Sequence, residues 1–351
     1  MATWEAALVA RTPSETSGPT FTEVCGLKWT GLSYEDVAGD PGRIDIGVPI
    51  RHLPTAAKTR LRDLELYPCE LWLHRDGVRK AAGPLMSYTI QGDTLTAYGT
   101  GLLGYLGYWP WDIDQTYTGA DQATIVAGLI DTMQARTYGS FGIDTSHLAA
   151  TEVYRDLKLL ASEGRNVLDI VVGMGDRDNG YQLTIDPQTR AVEMHTPRQG
   201  VDRSGDVYLD QRNVASPEVF VSVAPGQIAS EVLGVSSGAA AGESLTSSAS
   251  NPTLRATFGR AGIARSWPDI KVQATLDDHV ARVAEDYATA RTSVSPDLAV
   301  VTGASIEDFD AGDIITYSFD DGLGLRVITP RVRTKKVTAS KGREALSVRF
   351  Y

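Results

Sequence analysis

Between residues 71 and 111 the chain reads LWLHRDGVRKAAGPLMSYTIQGDTLTAYGTGLLGYLGYWPW, an alternation of apolar and polar residues interrupted by tight-turn dipeptides. Alternation with a period of two puts every second side chain on one face of a strand, so Leu71 and Leu73 oppose Trp72. Asp76-Gly77 tolerates the positive φ of a two-residue hairpin turn, and Val78 to Lys80 is the returning strand. Gly83-Pro84 marks a new strand start or an edge, because proline donates nothing to a ladder. Leu85, Ser87 and Thr89 then oppose Met86, Tyr88 and Ile90, Gln91-Gly92-Asp93 turns the chain, and Leu95, Ala97 and Tyr98 carry it back. Four short strands with one apolar face need a cover, which predicts a small barrel or sandwich.

A chain of 351 residues is long for one hydrophobic core, so two or three domains are expected. Its 42% hydrophobic and 22% charged residues are those of an ordinary globular protein. A net charge of -11 argues against wrapping nucleic acid, which needs a basic excess to neutralise phosphates. Cys25 and Cys69 are too few for a disulfide framework and read as reduced core residues. The start Met-Ala-Thr-Trp-Glu lacks the basic opening of a signal peptide, and no apolar run reaches the roughly 18 residues of a membrane helix. The expectation is folding in a reducing cytosol without stable membrane insertion.

The same grammar divides the rest of the chain. Residues 22–50 hold further strand signals, with Ile44, Ile46 and Val48 in strict alternation after Gly39-Asp40-Pro41-Gly42, and residues 51–66 suggest one helical turn. Residues 1–111 therefore read as an N-terminal, barrel-like β domain. From Asp112 the period becomes helical: Asp121 is a plausible N-cap before Ile125, Val126, Leu129, Ile130 and Met133, and a second helix spans about 165–174 before Gly175. A hairpin turned by residues 186–190 follows, making 112–205 an α+β module. Residues 206–351 read as a second β domain, with strands near 207–209, 219–223, 298–302, 314–318, 325–328, 331–338 and 345–350. It carries a Gly/Ala/Ser segment at 235–251, read as a mobile loop because its composition buries little, and a helix at 278–291 striped by Val280, Val283, Ala284, Tyr287 and Ala288. The fold class is α+β, mostly β: two barrel-like β domains flanking an α+β module.

Motifs that carry chemistry are weak. Gly99-Thr100-Gly101-Leu102-Leu103-Gly104 matches GxGxxG, but Gly107 and Pro110 end any following helix and no parallel βαβ unit surrounds it, so close-packing glycines are the better reading. Asp176-Arg177-Asp178-Asn179-Gly180 is one residue short of a calcium loop, with Pro187 where the bidentate Glu belongs, and reads as a turn. The five histidines have no paired spacing, and neither GxSxG nor a P-loop occurs. Asp308, Asp310 and Asp313 contain a conceivable carboxylate pair, with a solvated loop preferred. No catalytic residue, cofactor site or metal site is assigned. Two groups are candidate interfaces: the aromatic cluster of Tyr105, Tyr108, Trp109 and Trp111 near Tyr117, and the alternating cations Arg331, Arg333 and Lys335, whose one positive face could meet an acidic neighbour.

The order of elements, a β-meander with a Gly-Pro entry, an α+β module ending in a hairpin, the Phe258-Gly259-Arg260 patch, a helix, and Gly312-Asp313 opening a last β region, resembles the tail-tip or baseplate hub proteins of long-tailed bacteriophages. The resemblance is especially to minor tail proteins of phages infecting actinobacteria, and its most telling pieces are residues 250–260, the helix and Gly312-Asp313. The resemblance implies a homotrimer in which two β domains per subunit imitate the sixfold symmetry of the tail tube, with the α+β module shaping a central channel. It implies as partners a distal tail or tail tube protein, the tape measure protein and other tip or receptor-binding proteins, with DNA only in transit. The place implied is the virion tail tip, after assembly in the host cytoplasm. Enzymatic extensions occur in such families; with Tyr351 just past the last strand, any such activity is expected in partners. A hexameric distal tail ring protein and a cell-wall carbohydrate-binding or hydrolytic protein are the rival readings.

Overall fold

A computed structural model describes residues 2–15, 18–64, 68–175, 180–196, 198–210, 212, 214–215, 219–222, 226–236, 244–267, 270, 273–288, 291–294, 298–300, 306–320, 324–340 and 343–350. The fold is α+β and mostly β. By contacts the chain divides into two compact units, Met1–Ser216 with Asp297–Tyr351, and Pro217–Pro296.

The first unit begins with β1 (Trp4–Thr12), β2 (Thr20–Gly26), β3 (Gly31–Val37) and β4 (Asp40–Pro49), then α1 (Thr55–Arg62), β5 (Cys69–Arg75), β6 (Val78–Gln91) and β7 (Thr94–Gly99). Ile44, Ile46 and Val48 are all buried, as their alternation requires. The expected strand break at Gly83-Pro84 is absent: β6 is one strand of 14 residues that pairs with β5 as far as Pro84 and with β7 from Leu85 onward. Glycine permits this crossing, since a Cβ at Gly83 would sit 1.9 Å from the Thr100 carbonyl oxygen. Proline is tolerated there because the ladder changes partner at that residue.

The α+β stretch follows with β8 (Gln115–Asp121), α2 (Gln122–Gln134), β9 (Tyr154–Leu159), α3 (Val167–Gly175) and the hairpin β10 (Gln182–Ile185) to β11 (Val192–His195). Asp121 caps α2, its carboxylate accepting from the Ala123 N–H at 2.8 Å, and the five apolar residues named for that helix are all buried. Residues 176–179, most of the calcium-like stretch, lie outside the described residues. Two short strands, β12 (Tyr208–Asp210) and β13 (Val214–Ala215), end this part.

The second unit holds β14 (Val219–Ser222), β15 (Glu231–Ser236), β16 (Leu245–Ser250), α4 (Pro252–Phe258), β17 (Gly262–Ser266), α5 (Gln273–Asp286) and β18 (Arg291–Val294). Two expectations change here. Residues 235–236 and 244–250 of the supposed mobile loop are strand or its lead-in, held by the antiparallel β15–β16 ladder, while 237–243 lie outside the described residues. The helix expected at 278–291 is α5, five residues earlier at each end; Asp277 lies inside it, and Leu276 joins Val280 and Tyr287 in the buried stripe.

The chain then re-enters the first unit through β19 (Leu298–Val300), β20 (Thr316–Asp320), β21 (Leu325–Ile328), β22 (Val332–Ser340) and β23 (Arg343–Phe350). β22 pairs antiparallel with β3, so N- and C-terminal strands share one eleven-stranded sheet in the order β13-β19-β23-β22-β3-β4-β7-β6-β5-β1-β2. β12, β20 and β21 form a separate three-stranded sheet. Among the described residues no helix is long and apolar enough to cross a membrane.

Candidate functional site

The aromatic cluster is mostly interior. Tyr105, Trp109 and Trp111 are 2%, 6% and 2% exposed, packed among the side chains of α2, α3 and the 3-10 helical segment Leu102–Tyr108. Trp109 stacks on Phe141 at 5.0 Å and its indole N–H donates to the Gly139 carbonyl at 3.2 Å; Tyr105 stacks on the same ring at 4.3 Å. Tyr108 is the exception, half-exposed, its hydroxyl 2.9 Å from Met86 Sδ. The glycines of GTGLLG serve packing: a Cβ on Gly101 would meet the Pro41 carbonyl oxygen at 2.3 Å, and one on Gly104 would meet Thr100 Cγ2 at 2.4 Å.

Beneath these rings lies a buried polar joint that period-two reading passes over. Glu70 on β5 is fully buried. Its carboxylate accepts from the Tyr105 hydroxyl at 2.6 Å, the Trp72 indole N–H at 2.7 Å and the Arg190 guanidinium at 3.1 Å. Arg190 also donates to the Phe141 carbonyl at 2.7 Å and lies over the Phe21 ring, while Arg79 stacks over Trp72 at 3.6 Å and donates to the Pro187 carbonyl. A buried carboxylate is tolerated only when its lone pairs are filled and a cation is near, and Glu70 has both. Burial and the Glu70 charge together push the Tyr105 hydroxyl's pKa well up, so it stays a donor. The joint ties the sheet, through β5, to the turn between β10 and β11. Its sequence signal was Trp72 beside Glu70 on one face of β5: an aromatic there implies that this face is covered.

The basic strand residues separate. The ladder slips by one residue between Val332 and Thr334, a bulge that breaks the alternation. Arg333 is exposed, Arg331 is part-buried and donates to the Gln199 and Gly312 carbonyls, and Lys335 is 4% exposed, bonded to the Phe309 carbonyl and 2.8 Å from Asp310. The expected single positive face is not formed. Gly312-Asp313 has a structural reason: Gly312 takes φ +98° against the backbone of Gln199, and the buried Asp313 carboxylate accepts from Val201 N–H, Arg203 Nε and Asp310 N–H at 2.7, 3.0 and 2.9 Å. Asp313 and Asp310 are thus engaged within the chain.

An open cleft of about 660 Å³ lies beside this staple, lined by Asp36, Lys80, His195, Glu307, Asp310 and Lys335 among others. Lys80 pairs with Glu307 at 2.9 Å, and Arg75 bridges Glu307 and Glu344, both at 2.9 Å, linking the β5–β6 hairpin to the C-terminal strands. Desolvation pushes Asp36 up to about 6 against the pull of Lys335. Among the described residues no three or more His, Cys, Asp or Glu side chains are grouped to hold a metal ion.

No family model matches the chain, and no curated protein matches it. Solved structures do match, over nearly the whole of both chains. A tail protein from Neisseria meningitidis aligns at TM-score 0.60 and 14% identity, covering 98% of this chain and 96% of its own. A 43 kDa tail protein of prophage MuSo2 from Shewanella oneidensis aligns at 0.63 and 12%, covering 99% and 98%. A prophage tail protein from Listeria monocytogenes aligns at 0.59 and 9%, covering 98% and 94%. The chain has the fold of phage tail proteins. The resemblance read from the sequence holds at that level, and the three source organisms lend no support to an actinobacterial host.

Proposed function

We propose that this chain is a structural subunit of a phage tail, placed at the tail tip, where it joins the tube to the tip apparatus without catalysis. The observation that carries this reading is the match of fold along almost the full length of three tail proteins. In this reading three copies form a ring that meets the distal tail or tail tube protein above and the tape measure and receptor-binding proteins within and below. The ring acts mechanically, as a collar that admits DNA once the tip is triggered. The net charge of -11 suits a channel wall that must not retain the passing polyanion. The buried Glu70 carboxylate, held by Tyr105, Trp72 and Arg190 under the aromatic core, supports a rigid α+β part over the sheet, as a collar requires.

Of the surface residues assigned to contacts from the sequence, Tyr108 and Arg333 are the exposed members and are proposed as interface positions. The carbohydrate-binding rival loses its platform, since Trp109 and Trp111 are interior. Native mass spectrometry of the purified protein and of the tail tip tests the proposal. Three copies per particle are expected; six would favour the distal ring protein, and a monomer that never joins tails would remove the structural reading.

A further inference from the structure

The two ends of the eleven-stranded sheet are treated differently. β13 closes one end with 2 residues, whereas β2 closes the other with 7, rich in the Thr, Phe and Val that favour strands and free of the Lys or Pro that blunts an edge. In an antiparallel ladder alternate residues bond to the partner strand, and those between them direct their N–H and C=O away from it. The parity is fixed here by two bonds at the ends of β1. The Leu27 N–H donates to the Ala6 carbonyl and the Arg11 N–H to the Pro68 carbonyl, so even residues of β1 bond toward β2 and odd ones toward β5. Thr20 and Thr22, opposite Thr12 and Ala10, therefore bond to β1, while Phe21 and Glu23, opposite Arg11 and Val9, turn their backbone groups off the sheet. Among the described residues nothing bonds to those groups. The register shift falls at Val24, beyond this stretch. The edge is also acidic. Glu23 is exposed, as is Glu5 on the same face of the sheet, and neither has an ion-pair partner among the described residues. His74, which both carboxylates influence, has its pKa pushed down by burial and is neutral at pH 7.

We propose that β2 receives an extended, basic segment of a different protein as a further strand of the sheet, with a lysine or arginine opposite Glu23 and, two residues on, a β-branched apolar side chain opposite Phe21. The open N–H and C=O groups of Phe21 and Glu23 supply the attachment, as in strand addition to an exposed sheet edge. The side chains select the segment, because opposite charges and aromatic–β-branched pairs are the favourable cross-strand partners. Threonine or valine suits the positions between, beside the exposed Thr20 and Thr22. A basic segment is required because the carboxylates at this edge are uncompensated in a chain of net charge -11. The inference stands on the edge's chemistry and does not rest on a place in the tail.

The probe is the capped peptide acetyl-Thr-Lys-Thr-Val-Thr-amide, which in antiparallel register sets Lys opposite Glu23 and Val opposite Phe21, with acetyl-Thr-Glu-Thr-Val-Thr-amide as control. Each is titrated into the full chain labelled at the backbone nitrogens of its 7 phenylalanines. The Phe21 amide signal, assigned through Phe21→Leu, is expected to move downfield and saturate at millimolar concentration as its N–H gains an acceptor. The Glu peptide is expected to bind about fivefold more weakly, the worth of one cross-strand charge pair. Glu23→Lys is expected to reverse the order of the two peptides. Glu23→Pro removes an N–H that the β1 ladder does not use, so it is expected to melt cooperatively like the unsubstituted chain and to lose the peptide. No saturable shift at Phe21, equal binding of both peptides by the unsubstituted chain, or binding kept by a folded Glu23→Pro overturns the proposal, and the first two comparisons stand even if Glu23→Pro does not fold. Self-association lost in Glu23→Pro would name a second copy as occupant and overturn the assignment to another chain.

Discussion

Glu70 shows how one side chain can commit a fold. Its three donors, Tyr105, Trp72 and Arg190, come from the segment after β7, from β5 itself and from the β10–β11 turn. Glu70→Gln leaves Arg190 buried beside a neutral amide, and removing one partner of a buried pair costs about 3 to 5 kcal/mol; urea unfolding at pH 7 should show a loss near the lower end, because the amide still accepts. Glu70→Gln combined with Arg190→Met should recover part of it, as the double-mutant cycle would reveal. Asp36 makes a different prediction. Its ordinary value of 3.8 rises to about 6 in the fold, so between those values the folded chain binds more protons than the unfolded one. Its contribution to stability therefore falls as pH rises through that window and stays low above it. In thermal melts from pH 4 to 7, Asp36→Asn should gain on the unsubstituted protein across this interval, and parallel curves would remove the claim. Neither role was legible from spacing. Both depend on which distant segments cover a strand face, whereas Asp121, whose cap contact lies two residues away, was legible at once.

At the scale of elements, the turns were readable and the crossings were not. Asp76-Gly77 turns the β5–β6 hairpin as expected, with both residues at positive φ, because that chemistry is local. Gly83-Pro84 has the same composition as a turn but lies within β6, and what distinguishes it is the Thr100 carbonyl that arrives from elsewhere. The two sites separate experimentally. Gly77→Ala meets nothing within 4 Å and should cost about 1 kcal/mol for its left-handed backbone. Gly83→Ala drives a methyl into backbone and should cost about 3 kcal/mol or more, so denaturant midpoints should rank Gly83→Ala well below Gly77→Ala. The same distinction explains β1 and β16. β1, with Ala6 to Ala10 all buried, lacks the alternation by which a half-exposed strand announces itself. β16 is Leu-Thr-Ser-Ser-Ala-Ser, whose composition suggests a loop until β15 supplies a partner.

The whole molecule is organised by a pairing that sequence periodicity cannot reveal, since β22 and β3 are separated by most of the chain yet join in register from Thr334↔Val37 to Ala339↔Leu32. A chain ending at residue 216 lacks β19, β22 and β23, which exposes the full length of β3 as an unpaired edge and uncovers the apolar face of Leu32 and Tyr34. It should fail to unfold cooperatively. The unit Pro217–Pro296 stands otherwise, because its strands pair among themselves and the chain leaves and re-enters the first unit at paired residues, Val214↔Val300 and Ala215↔Ala299. Antiparallel partners lie about 5 Å apart, so joining residues 1–216 to 297–351 through a few Gly and Ser residues closes a hairpin and leaves the eleven-stranded sheet intact. That variant should keep one cooperative transition and the near-ultraviolet signal of its packed tryptophans. A folded 1–216 fragment alongside an unfolded excision variant would mean that the sheet does not depend on its C-terminal strands. The shared sheet would then not be what holds the two ends of the chain in one unit.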